Sequence, residues 1–275
     1  MSAGPYAVTR TTPGIVLQIT IAILILVTPI LWIVVSSFKT GTDVTAYPPR
    51  LLFSPTVENY VQLFGQTPFA KYAANSFIVP SGSTLLGLRL GVPMAFAISA
   101  MKITWPATGV LIARMAPGTL FLLPWYVMFS TAGLIGRHEI LILTHCVITL
   151  PMIVWIMLPY FDSIPSELSE SAIIDGASTG TIFTRVALPL AKPGLVIATI
   201  LAFVFSWNYF LFALVLSGFN SKTMIVAAFN FVGEGVSGWG QLMVAAVVIA
   251  LPPLLLALVA QRWLIAGLTG GAVKG

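Results

Sequence analysis

Long apolar stretches with few charges dominate the chain, and polar or charged residues separate them. About 20 apolar residues in a helix cross the roughly 30 Å hydrocarbon core of a bilayer. Because each stretch is continuous rather than alternating, the pattern predicts membrane helices and not the strands of a barrel. The pattern predicts six spans, near residues 15–37, 72–100, 108–131, 139–160, 194–216 and 234–262.

Composition supports the same fold class. Of the 275 residues, 58% are apolar and 8% are charged, whereas a soluble domain carries about 25% charged residues. High hydrophobicity and low charge also exclude a disordered chain. The net charge of +5 comes from basic residues spread singly along the chain, so they do not form the basic patch that nucleic acid requires. We expect an all-α integral membrane protein that binds no nucleic acid.

Three segments between the predicted spans are informative. Residues 38–70 are polar and Pro-rich and predict an extended excursion on one surface. Residues 217–240 are rich in Gly, Asn and Ser and predict a loop on the same side. Residues 161–193 differ, because they contain four of the eight acidic residues.

The segment 161–193 has the signals of a helix–turn–helix. Pro165 favours a helix start, and Asp175-Gly176 predicts the end of that helix, since glycine adopts the left-handed conformation easily. Ser178 can cap a second short helix, and Pro189 marks the exit towards the fifth span. A solvated hairpin and a rigid knob that docks into a soluble protein are both compatible with this pattern.

The same segment resembles the EAA loop of bacterial ABC importer permeases. Its matching residues, at that loop's spacing, are Glu170-Ser171-Ala172, Asp175-Gly176-Ala177 and Val186-Ala187-Leu188-Pro189. Ser171 replaces an Ala and Val186 replaces an Ile, and both changes are small. The resemblance extends to Asn75-Ser76, Arg114-Met115-Ala116-Pro117, Trp207-Asn208-Tyr209-Phe210 and residues 267–275. The last of these is similar to the tail of the smaller permease subunit of maltose-type carbohydrate transporters.

This resemblance implies the type I ABC importer permease fold, with five core helices and one extra N-terminal helix. It implies an N-terminal helix and extracytoplasmic segment in 1–70, a core transmembrane domain in 71–264 and a cytoplasmic tail in 265–275. It also places the loop 161–193 and both termini in the cytoplasm of a bacterium, with the spans in the inner membrane. The positive charges alone leave this orientation open, because they are nearly equal on the two sides.

The resemblance also implies the substrate and the partners. The substrate is a carbohydrate, which covers sugars, oligosaccharides, polyols and sugar derivatives. The partners are a second permease subunit in a heterodimer, two ATPase subunits, an external solute-binding protein and the lipid bilayer. ATP and Mg²⁺ belong to the ATPase subunits, since the chain has no Gly-x-x-x-x-Gly-Lys motif. Without paired carboxylates, a nucleophile motif or metal-ligand spacing, we expect no catalytic, cofactor or metal site in the chain.

The resemblance assigns coupling to the ATPase to a set of residues in the loop. They are Glu170, Ser171, Ala172, Asp175, Gly176, Ala177 and Pro189. For the substrate path, Trp207, Asn208 and Tyr209 offer aromatic faces and an amide within one turn, although packing between helices explains them equally well. Arg89, inside the second span, either contacts an anionic solute or forms an interhelical hydrogen bond or snorkels.

Two alternatives follow from these residues. Arg89 keeps open a permease for an anionic sugar derivative or another small polar solute. An ion-coupled secondary transporter is the other class, but it would need acidic residues within the spans. All eight acids lie at span ends or in loops, which argues against it. His138 and His145 are seven residues apart, roughly on one helical face, and are expected to be buried structural residues.

Overall fold

The computed structural model describes residues 13–103, 105–115, 117–233 and 235–272, with side chains except at 111, 113, 114, 236, 237 and 262–272. The described part of the chain is helical and contains no strand. Its helices are α1 (Pro13–Ser37), α2 (Gly41–Val44), α3 (Glu58–Gln66), α4 (Phe69–Met101), α5 (Trp105–Met115), α6 (Thr119–Thr131), α7 (His138–Asp162), α8 (Ser166–Ile174), α9 (Thr179–Ile182), α10 (Leu188–Leu190), α11 (Lys192–Trp207), α12 (Phe210–Leu216), α13 (Met224–Phe231) and α14 (Val236–Ala272). A π-helical turn, Phe183–Ala187, joins α9 to α10.

Four helices in the described part are long and apolar enough to span a membrane. They are α1, α4, α7 and the part of α14 from Gly238 to Gln261. A fifth span results if Thr179–Leu190 and Lys192–Trp207, which are bent by 79° at their junction, count as one broken span. The all-helical membrane fold is therefore confirmed, whereas six uninterrupted spans are not found.

Two predicted spans are interrupted. The stretch 108–131 is divided between α5 and α6, and Pro117, which lacks the N–H that a continuous helix needs, lies between them. The stretch 194–216 is divided between α11 and α12. There, the backbone N–H and the side-chain Nδ2 of Asn208 both donate to the carbonyl oxygen of Val204, at 3.1 and 2.8 Å. The apolar pattern continues through both breaks, so it does not reveal that each of these two predicted spans is divided between two helices.

One of the two compact units of the chain comprises Pro68–Asn230 and Ile249–Gly275. Its core is the packing of α4, α7 and α11, and small residues of α4 permit a close approach. A Cβ atom on Gly91, for example, would lie 3.2 Å from Cγ2 of Ile153. The buried core residues include Val92, Ala95, Ile153, Val154, Met157, Phe161, Ala198 and Ala202. The resemblance run 114–117 falls partly outside the description, because Ala116 and the side chain of Arg114 are not described.

The other unit comprises Met1–Thr67 and Phe231–Val248. Within it, the segment 38–70 is not simply extended, because α2 and α3 form there. Asn59 of α3 donates its Nδ2 to the carbonyl oxygens of Ser37 and Lys39, at 2.9 and 2.7 Å. The bond to Ser37 satisfies the last carbonyl group of α1, and the two bonds together hold α3 against the end of the first span. The polar composition of the segment does not reveal this arrangement.

The segment 217–240 also contains more helix than the sequence predicts. The apolar run 224–229 begins α13, and α14 begins at Val236. Ser76 Oγ accepts a hydrogen bond from the backbone N–H of Met224 at 2.8 Å, which satisfies one of the free amides at the start of α13. The prediction of a loop fails here because the Gly, Asn and Ser residues flank a short apolar helix. Glu234 lies outside the described residues.

Candidate functional site

The first helix of the segment 161–193 ends in a glycine turn. The N–H of Ala177 donates to the carbonyl oxygen of Ala172 and that of Gly176 to Ile173, both at 2.9 Å. Gly176 has a φ of +80°. This pair of bonds is a Schellman motif, which favours glycine at the left-handed position because a Cβ atom is strained there. The prediction that Asp175-Gly176 ends the helix is confirmed.

The second half of the loop starts at a serine cap and ends in a sharp bend. Ser178 Oγ accepts a hydrogen bond from the N–H of Thr181 at 3.3 Å, as the cap prediction requires. The chain continues helically through Pro189, and the 79° bend then leads into α11. Beyond the bend, a Cβ atom on Gly194 would lie 2.4 Å from the ring of Tyr160. Glycine is thus required for α11 to approach α7 this closely.

The exposed surface of α8 and its C-terminal end carries both large apolar and acidic side chains. Its large apolar side chains are exposed, and Ile174 is 86% exposed. The exposed acidic residues around them are Glu167, Glu170 and Asp175. Exposed apolar patches rimmed by polar residues mark sites of protein contact. Leu168, Ile173 and Ile174 are not among the residues predicted from the sequence, although large apolar side chains in a short polar helix could have identified them.

The other predicted loop residues occupy the turn and its flanks. Ser171, Gly176 and Pro189 are exposed, and Ala172 and Ala177 are partly buried. The structure therefore brings all seven predicted coupling residues into one continuous helix–turn–helix. None of them lies in the core of the helix bundle.

Contacts near the ends of α4 and α7 attach the loop to the bundle. Ser99 Oγ donates to Asp162 Oδ1 at 2.5 Å, which links the ends of α4 and α7. The ring of Phe96 on α4 lies 5.6 Å from that of Phe161 and 5.1 Å from that of Phe183 in the π-helical turn. This aromatic cluster joins the second half of the loop to the ends of two membrane-spanning helices.

The predicted substrate-path residues lie at the break between α11 and α12. Trp207 is buried, and its Nε1 donates to the carbonyl oxygen of Ile249 at 3.1 Å. Its ring contacts Phe77 edge-on at 4.9 Å and stacks on Phe203 at 5.6 Å. Of the two roles that the sequence allows for Trp207, substrate contact or packing between helices, the structure therefore shows packing.

The two following residues differ from Trp207. Asn208 is exposed and caps α11. Tyr209 is partly buried, with its ring 4.5 Å from that of Phe212. The hydroxyl of Tyr209 lies close to Gly118, where a Cβ atom would be 1.9 Å from it. Asn208 is thus the member of the predicted trio whose side chain reaches the surface of this chain.

Arg89 lies apart from this break. Its side chain is exposed on α4. Among the described residues, no hydrogen bond or ion pair involves it. Ser83 is the α4 residue that contacts Ser206 next to the break, and Arg89 follows it by six residues, or about 9 Å along the helix axis. The structure therefore does not bring Arg89 together with Trp207, Asn208 and Tyr209.

A buried polar network next to the break was not predicted. Ser206 Oγ lies 2.8 Å from Nδ1 of His145 and 2.9 Å from Oγ of Ser83. Thr149 Oγ1 donates to the carbonyl oxygen of Ser83 at 2.9 Å. The network crosses between α4, α7 and α11, and all four side chains are buried. The prediction that His145 is a buried structural residue is confirmed.

The Asn-Ser pair at the start of α4 has a structural role. Asn75 Nδ2 donates to the carbonyl oxygens of Asn220 and Lys222, both at 2.9 Å. Its Oδ1 lies 2.8 Å from Nε2 of His138, which is partly buried. Asn75 thus joins the starts of α4 and α7 to the segment before α13. The described part of the chain contains no group of three or more His, Cys, Asp or Glu side chains that could hold a metal ion.

These features define a class of protein, a multi-pass helical membrane protein with a helix–turn–helix between two of its core helices. Residues 87–270 match the family model of the binding-protein-dependent transport system inner membrane component. The chain belongs to this family, and its resemblance to ABC importer permeases is confirmed.

Three curated relatives support this assignment over nearly the whole chain. The probable ABC transporter permease protein of Sinorhizobium fredii is 32% identical, covering 90% of each chain. The sulfoquinovosyl glycerol transport system permease of Agrobacterium fabrum is 32% identical over 90% of this chain and 88% of its own. The trehalose transport system permease of Mycobacterium tuberculosis is 34% identical over 90% and 92%.

A solved structure supports the fold. A chain of a bacterial ABC transporter that imports the acidic polysaccharide alginate matches with a TM-score of 0.74 at 21% identity. The match covers 94% of this chain and 99% of the other. The type I importer permease fold predicted from the loop is therefore confirmed.

Proposed function

We propose that the chain forms half of the translocation path of an ATP-driven, binding-protein-dependent importer for a carbohydrate. Two of its relatives are permeases of transport systems for trehalose and for sulfoquinovosyl glycerol, which both contain a sugar. In this proposal the transporter is completed by a second permease subunit in a heterodimer, two ATPase subunits that bind ATP and Mg²⁺, and an external solute-binding protein.

The exposed apolar side chains at the C-terminal end of α8 carry the coupling part of the proposal. Ile173 is 61% exposed and Ile174 is 86% exposed, and exposing apolar side chains to water is unfavourable. The Schellman turn at Gly176 fixes the shape of the loop, so a partner meets a preformed surface. We assign this surface to an ATPase subunit, with Glu170 and Asp175 at the rim of the contact.

A movement of the docked loop has a direct route into the membrane-spanning helices. The aromatic cluster of Phe96, Phe161 and Phe183 connects the loop with the ends of α4 and α7. The bend before α11 connects it with a third core helix. Coupling requires an element with two arrangements that both sites bias, and the loop together with these helix ends is our candidate for that element.

At the helix break we assign the direct substrate contact to Asn208. Its amide is exposed, and amide groups donate and accept the hydrogen bonds that sugar hydroxyls need. Trp207 and Tyr209 hold the break in place by packing. In this proposal the loop 161–193 and both termini are cytoplasmic. Residues 71–264 form the core domain. Residues 1–70 form the added N-terminal helix with its extracytoplasmic segment, and residues 265–275 form the cytoplasmic tail.

An anionic sugar derivative is the second candidate substrate. Arg89 is exposed without a described partner, and ionisable residues within membrane segments usually face a cavity or a partner. Arg89→Leu should then abolish uptake of an anionic solute and leave the amount of assembled transporter unchanged. Uptake measured side by side with a neutral sugar tests this assignment, and equal loss of both solutes would contradict it.

The coupling function is tested by altering the turn. Gly176→Pro cannot adopt a φ near +80° and removes the N–H that bonds to Ile173. We expect the variant to insert and to reach the membrane, but its ATP hydrolysis should no longer be stimulated by solute-loaded binding protein. Gly180→Ala is the control in the same loop, because a Cβ atom at that position would lie 4.0 Å from its nearest neighbour, Oγ of Ser178, and would clash with nothing.

Co-purification of the partner subunits with each variant separates the outcomes. Wild-type stimulation of ATP hydrolysis in assembled Gly176→Pro would contradict a coupling role for the turn. Uptake by the reconstituted chain on an ion gradient, without ATP or partners, would instead establish a secondary transporter.

A further inference from the structure

A buried lysine organises the end of the first membrane span. Lys39 follows α1 by two residues, and its side chain is only 1% exposed. Its Nζ donates to the carbonyl oxygen of Arg50 at 2.8 Å. The same ammonium group lies 4.2 Å from the centre of the Trp32 ring and 5.1 Å from that of Phe53. One cation thus joins the span to a stretch more than ten residues further along the chain.

These contacts fix the position of residues 50–53 along the span. Trp32 lies five residues before the end of α1 at Ser37, which corresponds to about 7.5 Å along the helix axis. Because the Lys39 ammonium contacts the Trp32 ring, the carbonyl of Arg50 and the ring of Phe53 also lie beside the last turns of α1. The chain has therefore folded back along the membrane-spanning helix.

The two residues between these contacts are apolar and exposed. Leu51 is 75% exposed and Leu52 is 94% exposed. Since Arg50 and Phe53 flank them, both leucines lie next to the last turns of a helix that is apolar enough to span the bilayer. Trp is enriched at the level where the membrane meets water, and Trp32 places the leucines near that level.

Hydrogen bonds hold this segment in place. Arg50 also forms an ion pair with Asp43 at 2.7 Å. Ser37 Oγ lies 2.9 Å from the hydroxyl of Tyr60, and the Asn59 amide bonds to the carbonyl oxygens at the end of α1. The exposure of Leu51 and Leu52 is thus a feature of a structured segment.

We propose that Leu51 and Leu52 insert into the lipid interface around the end of α1 and anchor this end of the span at a fixed depth. Burying two leucine side chains in lipid removes their apolar surface from water, which is favourable. The lipid that covers them would be part of the same bilayer that surrounds α1. This inference depends on the membrane location of α1 and not on the identity of the transported solute.

Spin labelling tests the proposal in the full transporter, reconstituted in nanodiscs of phosphatidylethanolamine and phosphatidylglycerol. The single native cysteine, Cys146, is buried and is first replaced by Ala. A nitroxide is then attached at Leu52→Cys or, as the control, at Thr42→Cys, an exposed polar position of α2 in the same segment. The measurement compares the accessibility of each label to oxygen, which enters lipid, and to a water-soluble nickel chelate.

We expect the ratio of oxygen to nickel accessibility to be several-fold higher at position 52 than at position 42. Equal ratios at the two positions would overturn the proposal. A label at 52 that is open to nickel until solute-binding protein is added would also overturn it, and would assign the leucines to a protein contact. Because a cysteine at 52 replaces an exposed side chain, transport activity of the labelled variant verifies that the fold is intact.

Discussion

The loop 161–193 and the break between α11 and α12 use polar residues in opposite ways. In the loop, α8 exposes isoleucines and places acids around them, while backbone bonds close the turn. At the break, Ser206 and His145 bury their polar groups against each other, and Trp207 fills the core beside them. The first arrangement leaves apolar surface for a partner, and the second uses polar groups to hold three helices together. Substitutions should therefore affect coupling in the loop and stability at the break.

The largest effect on stability is expected for Trp207→Ala. The substitution removes a buried indole, its contacts with Phe77 and Phe203, and the hydrogen bond to Ile249. We expect the free energy of unfolding in detergent to fall by about 3–5 kcal/mol, as for other buried aromatic residues. Trp105→Ala, at an exposed position on α5, is the control. Similar losses at both positions would show that the break is not a packed region.

A smaller effect is expected for Ser206→Ala. This change leaves Nδ1 of His145 and the hydroxyl of Ser83 without their shared partner inside the bundle. The free energy of unfolding should fall by about 1–2 kcal/mol, because an unsatisfied buried polar group is unfavourable. The loss stays modest because polar groups in a helical membrane protein can form hydrogen bonds with other partners. Ser81→Ala, at an exposed position on the same helix as Ser83, should stay within about 0.5 kcal/mol of the wild type.

The smallest effect on stability is expected for Ile174→Asp in the loop. Its side chain is exposed, so the free energy of unfolding should change by less than about 0.5 kcal/mol. Stimulation of ATP hydrolysis by the loaded binding protein should nevertheless fall at least tenfold, since a charge would enter an apolar contact. If Ile174→Asp lowered the free energy of unfolding but left the stimulation of ATP hydrolysis intact, the claim that the loop serves coupling rather than stability would be wrong.

The two regions also differ in how far the sequence reveals them. The turn of the loop depends on neighbours in sequence, such as Gly176 with Ala177 and the Ser178 cap, so spacing predicts it. The break depends on Asn208 and on contacts with distant residues, which an apolar pattern does not contain. Likewise, Asn75 bonds to carbonyl groups about 145 residues away. Sequence patterns therefore predicted the fold class and the loop, but not the break at Asn208 or the polar network.

The surroundings of Arg89 are also set by the arrangement of the helices, which the sequence pattern does not contain. A charged residue inside an apolar stretch indicates either a partner or a cavity, and only the arrangement of helices decides which of these it meets. Sequence identifies the residue as unusual, whereas the structure separates it from the helix break. The two candidate substrate contacts, Asn208 and Arg89, are thus independent of each other and can be tested one at a time.

Photo-crosslinking from position 174 tests the central claim most directly. A benzoylphenylalanine is placed at Ile174 in the complete transporter, with the same group at Ile19, an exposed residue of α1, as the control. We predict that only the label at 174 forms an adduct with an ATPase subunit, because α8 docks there. An adduct with the solute-binding protein, or none with the ATPase in an assembled and active complex, would contradict the coupling role of the loop.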